Sequence, residues 1–123
     1  MDRYFMVMLG GASGTLARYL IGAAITARAG GRFPLGTVFI NISGSFLVGF
    51  LMTILTQRWT NPNWRLLLVV GFLGGYTTFS AFEWENLVLL RDGARMAALL
   101  NGVGSVVVGL LAVWLGAALA AKK

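Results

Sequence analysis

Four apolar stretches, each more than 20 residues long, take up almost the whole of this 123-residue chain. One helix needs about 20 apolar residues to cross a bilayer. The stretches run approximately from Tyr4 to Ala27, from Phe33 to Thr56, from Leu66 to Leu90 and from Met96 to Ala121. They leave only short loops between them. The pattern therefore predicts an all-α membrane protein in which residues 1–123 form a single domain of four transmembrane helices.

The residue content narrows the chemistry that such a chain can perform. Hydrophobic residues make up 58% of it, whereas about 45–50% is usual in soluble domains. Cysteine and histidine are absent, which excludes disulfides, thiolate nucleophiles, imidazole bases and soft-metal sites. The acidic residues are too few for a carboxylate metal cage in one chain: Asp2, Glu83, Glu85 and Asp92. With no soluble domain to host a reaction, we expect no enzyme.

The basic residues are distributed almost evenly over the two sides of the predicted bundle. The net charge is +6, but most of the basic residues flank apolar stretches, where orientation and lipid headgroups explain them better than nucleic acid does. On one side lie Arg3, Arg58, Arg65, Lys122 and Lys123. On the other lie Arg28, Arg32, Arg91 and Arg95. Such a balance predicts dual topology, with antiparallel pairing of two copies; the alternative is one orientation fixed by an insertion partner.

The third apolar stretch contains a segment that disfavours a continuous helix. From Gly71 to Phe82 it reads GFLGGYTTFSAF. Its glycines carry a large backbone-entropy cost, and its hydroxyl residues compete for backbone hydrogen bonds. A bilayer tolerates a helix break only where the backbone is buried in protein or lines a wet cavity, and transporters place ion sites at such breaks. We therefore predict a mid-span break; the alternative is a glycine face for close helix packing.

Charged residues also occur within the apolar stretches. Arg18 lies inside the first, where an arginine is by default a functional candidate that attracts an anion or binds carbonyl groups. The alternative is that the Arg18 side chain extends along the helix towards the lipid headgroups. Glu83 and Glu85 follow the predicted break, where they could bind a cation, take up a proton or pair with Arg18. An exposed interfacial carboxylate is the simpler interpretation, above all for Glu83.

Polar side chains form a stripe along each of two predicted helices. Asn41 and Ser45 are four residues apart in the second stretch, and Asn101 and Ser105 repeat that spacing in the fourth. Residues four apart share one helix face. Such a stripe suits the wall of a hydrated path; the alternative is hydrogen bonding between helices.

Two phenylalanines in the third stretch offer an unusual anion site. Phe79 and Phe82 are three apart and share a helix face. Aromatic edges carry partial positive charge, so two edges could accept a small anion without the fixed charge that would prevent its release. The simpler interpretation is that both rings face lipid or the protein core.

Together these motifs resemble those of the fluoride channels called Fluc or CrcB. The resemblance covers essentially the whole chain. Its motifs, in chain order, are Gly14-x-x-x-Arg18, Gly36-Thr37-x-x-x-Asn41-x-x-Gly44 and the segment from Gly71 to Phe82. The last of these is highly specific.

The resemblance implies a passive, fluoride-selective channel that exports cytoplasmic fluoride and so confers fluoride resistance. It implies an antiparallel homodimer in the cell (inner) membrane, with two pores and the broken third helices crossing at its centre. A structural sodium ion would lie at the dimer interface, held by backbone carbonyls of Gly74 and Thr77 from both subunits. The partners would be fluoride, the lipid bilayer and a second copy of the chain, with no nucleic acid.

Individual residue roles are also implied by the resemblance. Arg18 matches the family's first-span arginine, and Glu85 a carboxylate near a pore entry. The family often has tyrosine where this chain has Asn101 and a hydroxyl residue where it has Gly109, which changes the polar track of the fourth helix. The fluoride pathway would contain Asn41, Phe79, Ser80, Phe82 and Ser105.

Two rival classes share the length and the four helices. Small multidrug-resistance transporters carry a carboxylate in the first span for proton–drug exchange, but this chain has Arg18 and no acid there. A membrane assembly subunit would not need a break, a phenylalanine pair and two polar stripes together.

Overall fold

Four helices make up nearly all of the computed structural model, which describes residues 2–122. The third helix is interrupted, so its two halves are named separately here. The elements are α1 (Arg3–Ala29), α2 (Leu35–Gln57), α3 (62–76) and α4 (Ser80–Arg91) as the halves of the third helix, and α5 (Arg95–Ala121). No strand occurs in the described part of the chain. The all-α prediction with a bent third helix is confirmed, whereas Lys123, which entered the charge count, lies outside the described residues.

Three of the helices have the length and the composition to cross a membrane. They are Leu35–Gln57, the bent helix Pro62–Arg91, and Arg95–Ala121. Helix α1 has 27 residues, which is ample for a bilayer core of about 30 Å at about 1.5 Å per residue. It is less apolar than the others because Arg18 and Arg28 interrupt it.

Helix α1 packs backbone to backbone against α3. Gly10 and Gly14 are buried on α1. A Cβ atom at Gly14 would overlap the carbonyl oxygen of Phe72, and one at Gly71 would lie 2.9 Å from the Cα of Gly10. The glycine-packing interpretation is therefore correct for the first half of the third stretch. The predicted break is also present, and it follows that half. Small residues at such a contact are what helix association in a bilayer requires.

Helices α2 and α5 form the second close pair. A Cβ atom at Gly49 or at Gly116 would overlap a backbone carbonyl of the facing helix. A Cβ atom at Gly109 would lie only 3.5 Å from the hydroxyl oxygen of Ser45. The two polar stripes are thus brought together on neighbouring helices.

Two sections of π-helix border the middle of the bundle. Residues Arg65–Leu73 in α3 and Leu100–Gly104 in α5 adopt this wider winding. Stretches of π-helix are rare and occur frequently at functional sites. The first leads into the helix break and the second ends immediately before Ser105.

Candidate functional site

The third helix breaks between Tyr76 and Ser80. Thr77 takes an extended conformation, with φ −82° and ψ 157°. The second half is capped by Thr78, whose hydroxyl oxygen accepts a hydrogen bond from the Ala81 amide at 3.2 Å. The break therefore has a defined geometry in which the chain leaves one helix and enters the next within three residues.

Asn41 of α2 stabilises the break through a reciprocal pair of hydrogen bonds. Its Nδ2 donates to the Thr78 carbonyl at 2.8 Å, and the Thr78 amide donates to its Oδ1 at 2.8 Å. These are the groups that a helix break leaves without partners. A side-chain amide supplies one donor and one acceptor in the orientation that a neighbouring backbone would.

Arg18 of α1 binds the same region from the opposite side. Its Nε donates to the Gly75 carbonyl at 3.0 Å. Of the roles considered for Arg18, binding a backbone carbonyl is the one present in the structure. Within residues 2–122 it forms no ion pair with Glu85, whose Oε1 instead accepts a hydrogen bond from the Thr37 hydroxyl at 2.7 Å.

Two carbonyls of the break lose their usual helical partners. In a continuous helix the Gly74 carbonyl would accept from the Thr78 amide, but that amide donates to Asn41. The Thr77 carbonyl would accept from the Ala81 amide, but that amide donates to Thr78. Oxygen ligands suit a hard cation. Gly74 and Thr77 therefore fit the predicted cation site, and the described chain has no cluster of acidic side chains that could serve instead.

A cavity of about 470 Å³ adjoins the break and is lined by residues of α2, α3, α4 and α5. The rings of Phe79 and Phe82 lie at its edge, with centroids 6.0 Å apart and planes inclined by 41°. Phe82 is buried, whereas Phe79 is 75% exposed. Six of the nine predicted site residues line this cavity: Asn41, Gly74, Thr77, Phe79, Phe82 and Ser105.

The other three predicted residues lie elsewhere. Ser80 is exposed and does not line the cavity. Arg18 lines a second cavity of about 420 Å³, together with Thr37 and Thr78. Glu85 is joined to that cavity through Thr37, and its Oε2 is buried with no hydrogen-bond partner among the described residues.

Asn86 is a polar residue near the site that the sequence analysis did not identify. Asn101 Nδ2 donates to Asn86 Oδ1 at 2.8 Å, and the Ser105 hydroxyl donates to Asn101 Oδ1 at 3.2 Å. Asn86 follows Phe82 by four residues and so shares its helix face, which is the signal that could have identified it.

A sequence model of the family described as "CrcB-like protein, Camphor Resistance (CrcB)" matches residues 5–117. The chain belongs to the CrcB family. Among its curated relatives, the fluoride-specific ion channel FluC of Solibacter usitatus is 55% identical over 121 residues, covering 98% of this chain and 99% of that one. The FluC of Acidobacterium capsulatum is 48% identical over 115 residues, covering 93% and 92%.

A third CrcB-family relative is more distant but of similar coverage. The FluC of Thermus thermophilus is 44% identical over 116 residues, covering 94% of this chain and 93% of that one. The resemblance drawn from the sequence motifs is thus confirmed. As a CrcB-family member with three strongly apolar helices, the chain is a multi-pass membrane protein of an ion-channel family and not an enzyme.

Proposed function

We propose that this protein is a passive, fluoride-selective channel. The observation that carries the proposal is the cavity at the helix break, where two phenylalanine rings meet the amide of Asn41 and the hydroxyl of Ser105. Its relatives bear the name fluoride-specific ion channel. The ring edges are partly positive and the Asn41 amide is a hydrogen-bond donor, while the Ser105 hydroxyl donates to Asn101 and turns lone pairs towards the cavity; none of the four groups carries a full charge.

No charged side chain of the described residues lines the cavity, which favours conduction. Arg18 does not line this cavity, because its side chain is bound to the Gly75 carbonyl on the other side of the break. An arginine beside the path would bind a small anion strongly and delay its release, whereas a channel needs binding that is weak enough for exit. Weak donors in a narrow path would exclude chloride by size and dehydration cost.

We propose that two copies pair antiparallel and form two pores. Support comes from Phe79, which borders the cavity but is 75% exposed in a single chain, and which a second copy would cover. The near-equal distribution of basic residues allows both orientations. In this arrangement α1 also crosses the membrane, and each chain is one four-helix domain.

We propose that Gly74 and Thr77 carbonyls of both copies hold a structural sodium ion. One chain offers two such oxygens, so a second copy is needed for an adequate ligand set. The ion would be coordinated by these carbonyl oxygens where the broken helices meet. We expect purified protein prepared without sodium to gain thermal stability saturably as sodium is added, more than with N-methylglucamine at equal ionic strength. No difference between the two cations would contradict the site.

Export would need no energy source besides the membrane potential. Neutral hydrogen fluoride crosses the membrane, dissociates in the less acidic cytoplasm and leaves the anion trapped. A channel in the cell (inner) membrane would let the potential drive the anion out, which would give fluoride resistance.

Ion efflux from liposomes tests the function directly. Purified protein is reconstituted, and fluoride and chloride electrodes record efflux after valinomycin provides a potassium pathway that balances charge. We expect fast fluoride release with no chloride release, and no fluoride release before valinomycin is added. Equal release of both ions would refute selectivity, and release of neither would refute the channel.

A further inference from the structure

The inference concerns the hydrogen-bonded group formed by Asn86, Asn101 and Ser105. Asn101 is 1% exposed and is the one fully buried polar side chain in the described part of the chain. Both ends of its amide are bound: Nδ2 donates to Asn86 Oδ1 at 2.8 Å and Oδ1 accepts from the Ser105 hydroxyl at 3.2 Å. The group therefore connects α4 to α5 and ends at a residue that lines the cavity.

The direction of these bonds determines what Ser105 presents to the cavity. A serine hydroxyl has one proton and two lone pairs. When the proton is donated to Asn101, the cavity side of the Ser105 oxygen carries only lone pairs, which repel an anion. In this state Ser105 cannot serve as a donor in an anion path.

The same three side chains can also bond in the reverse direction. Asn86 Nδ2 then donates to Asn101 Oδ1, and Asn101 Nδ2 donates to the Ser105 oxygen. The Ser105 proton becomes free to point into the cavity. The reversal needs a half turn of two terminal amides, about torsions that are roughly two-fold. It keeps both internal bonds, because each amide contains a donor and an acceptor.

We propose that Asn86 is a positioning residue for anion passage, acting on Ser105 through Asn101. Asn86 itself does not line the cavity. In the reversed direction Asn86 Nδ2 is the donor that satisfies the buried Asn101 Oδ1, so without Asn86 the state in which Ser105 can donate to an anion leaves a buried acceptor without a partner. An arriving anion selects this reversed direction. The proposal rests on the proposed fluoride channel.

A double-mutant cycle in the liposome efflux assay tests this coupling. The four proteins are the wild type, Asn86→Leu, Ser105→Ala and the double variant. Leucine keeps the size of asparagine but cannot donate or accept. We expect Asn86→Leu to lower fluoride efflux about tenfold in the presence of Ser105 and less than about twofold in the Ser105→Ala background. Asn63→Leu, the same exchange in a residue that lines neither cavity, serves as the control and should conduct normally.

The outcomes separate this inference from the proposed function. Unchanged efflux in Asn86→Leu, or equal losses in both Ser105 backgrounds, would overturn the coupling while leaving the channel intact. If the wild type releases no fluoride, the proposed function itself fails. Size-exclusion chromatography checks the assembly of each variant, and Asn86→Ala replaces Asn86→Leu in the same cycle if leucine prevents folding.

Discussion

Asn41 illustrates how one side chain can serve both structure and conduction. Both its carbonyl oxygen and its nitrogen bind the backbone of Thr78, while the residue also lines the cavity. One of its two Nδ2 protons is used for Thr78, so the second is available as a donor. The sequence predicted the position of Asn41 in a polar stripe, but not its bonds to the break.

Replacement of Asn41 tests the structural part of this role. We expect Asn41→Leu to lower the melting temperature, because it leaves a backbone donor and acceptor of Thr78 without partners, each costing about 1–3 kcal/mol. Thermal unfolding of the purified protein in detergent is the measurement. Ser45→Ala is the control, since among residues 2–122 the Ser45 hydroxyl binds only the backbone carbonyl of Asn41 in its own helix, at 2.7 Å. Equal melting temperatures for Asn41→Leu and the wild type would contradict the role.

The two phenylalanines support a second prediction at this scale. Phe82→Ile keeps an apolar side chain but removes the partly positive ring edge that would face the anion. We expect fluoride efflux to fall by about tenfold while the assembly state stays unchanged. Phe39→Ile, in a half-exposed residue that lines neither cavity, should conduct as the wild type does. Full efflux through Phe82→Ile would refute the aromatic path.

At the scale of the elements, the third helix combines two functions that the sequence presented as alternatives. Its first half packs through Gly71 and Gly75 against α1, where added Cβ atoms would collide with the α1 backbone. Its second half begins after the break, with a cap provided by Thr78. Close packing on one side keeps the broken segment in place, so that the unpaired carbonyls stay oriented.

The packing of α1 against α3 can be tested with neighbouring glycines. A Cβ atom at Gly14 would overlap the Phe72 carbonyl, whereas at Gly11 the nearest atom, the Gly71 oxygen, is 3.9 Å away. We expect Gly14→Ala to lower the melting temperature because the helices must separate. Gly11→Ala should leave it equal or slightly higher, since alanine favours a helix by about 1 kcal/mol over glycine. Equal effects of the two substitutions would show that the contact does not depend on close approach.

For the whole molecule, the orientation in the membrane is the property that the sequence specifies least strongly. Five basic residues on one side against four on the other give almost no preference for one orientation. A pair of oppositely oriented copies would then assemble from one kind of chain. The exposed ring of Phe79 and the open cavity would be covered in such a pair.

Insertion of the chain in both orientations is directly measurable. We expect C-terminal fusions to two reporters, one active only in the cytoplasm and one only outside it, to give comparable signals. A short lysine extension at the C-terminus should shift the population towards one orientation and reduce fluoride resistance, because fewer antiparallel pairs form. A glutamine extension of equal length is the control. A wild type found in a single orientation would contradict dual topology.

The sequence by itself determined the helical membrane class, the approximate helices and the location of the break. These follow from apolar length and from local residue preferences, which act within one helix. It also identified six residues that meet at one cavity: five lie in the family's motifs, and Ser105 lies in the polar stripe of the fourth stretch. It did not place Arg18 on the Gly75 carbonyl or Ser80 outside the cavity.

Only the tertiary structure decided which polar groups pair. The bonds of Asn41 to Thr78, of Arg18 to Gly75 and of Asn101 to Asn86 all connect different helices. Such contacts depend on how deeply and at what rotation two helices pack, which the glycine contacts fix through backbone approach rather than through any local pattern. The spacing of apolar residues along a helix indicates which of its faces is apolar. It does not indicate which atoms of a neighbouring helix that face will contact.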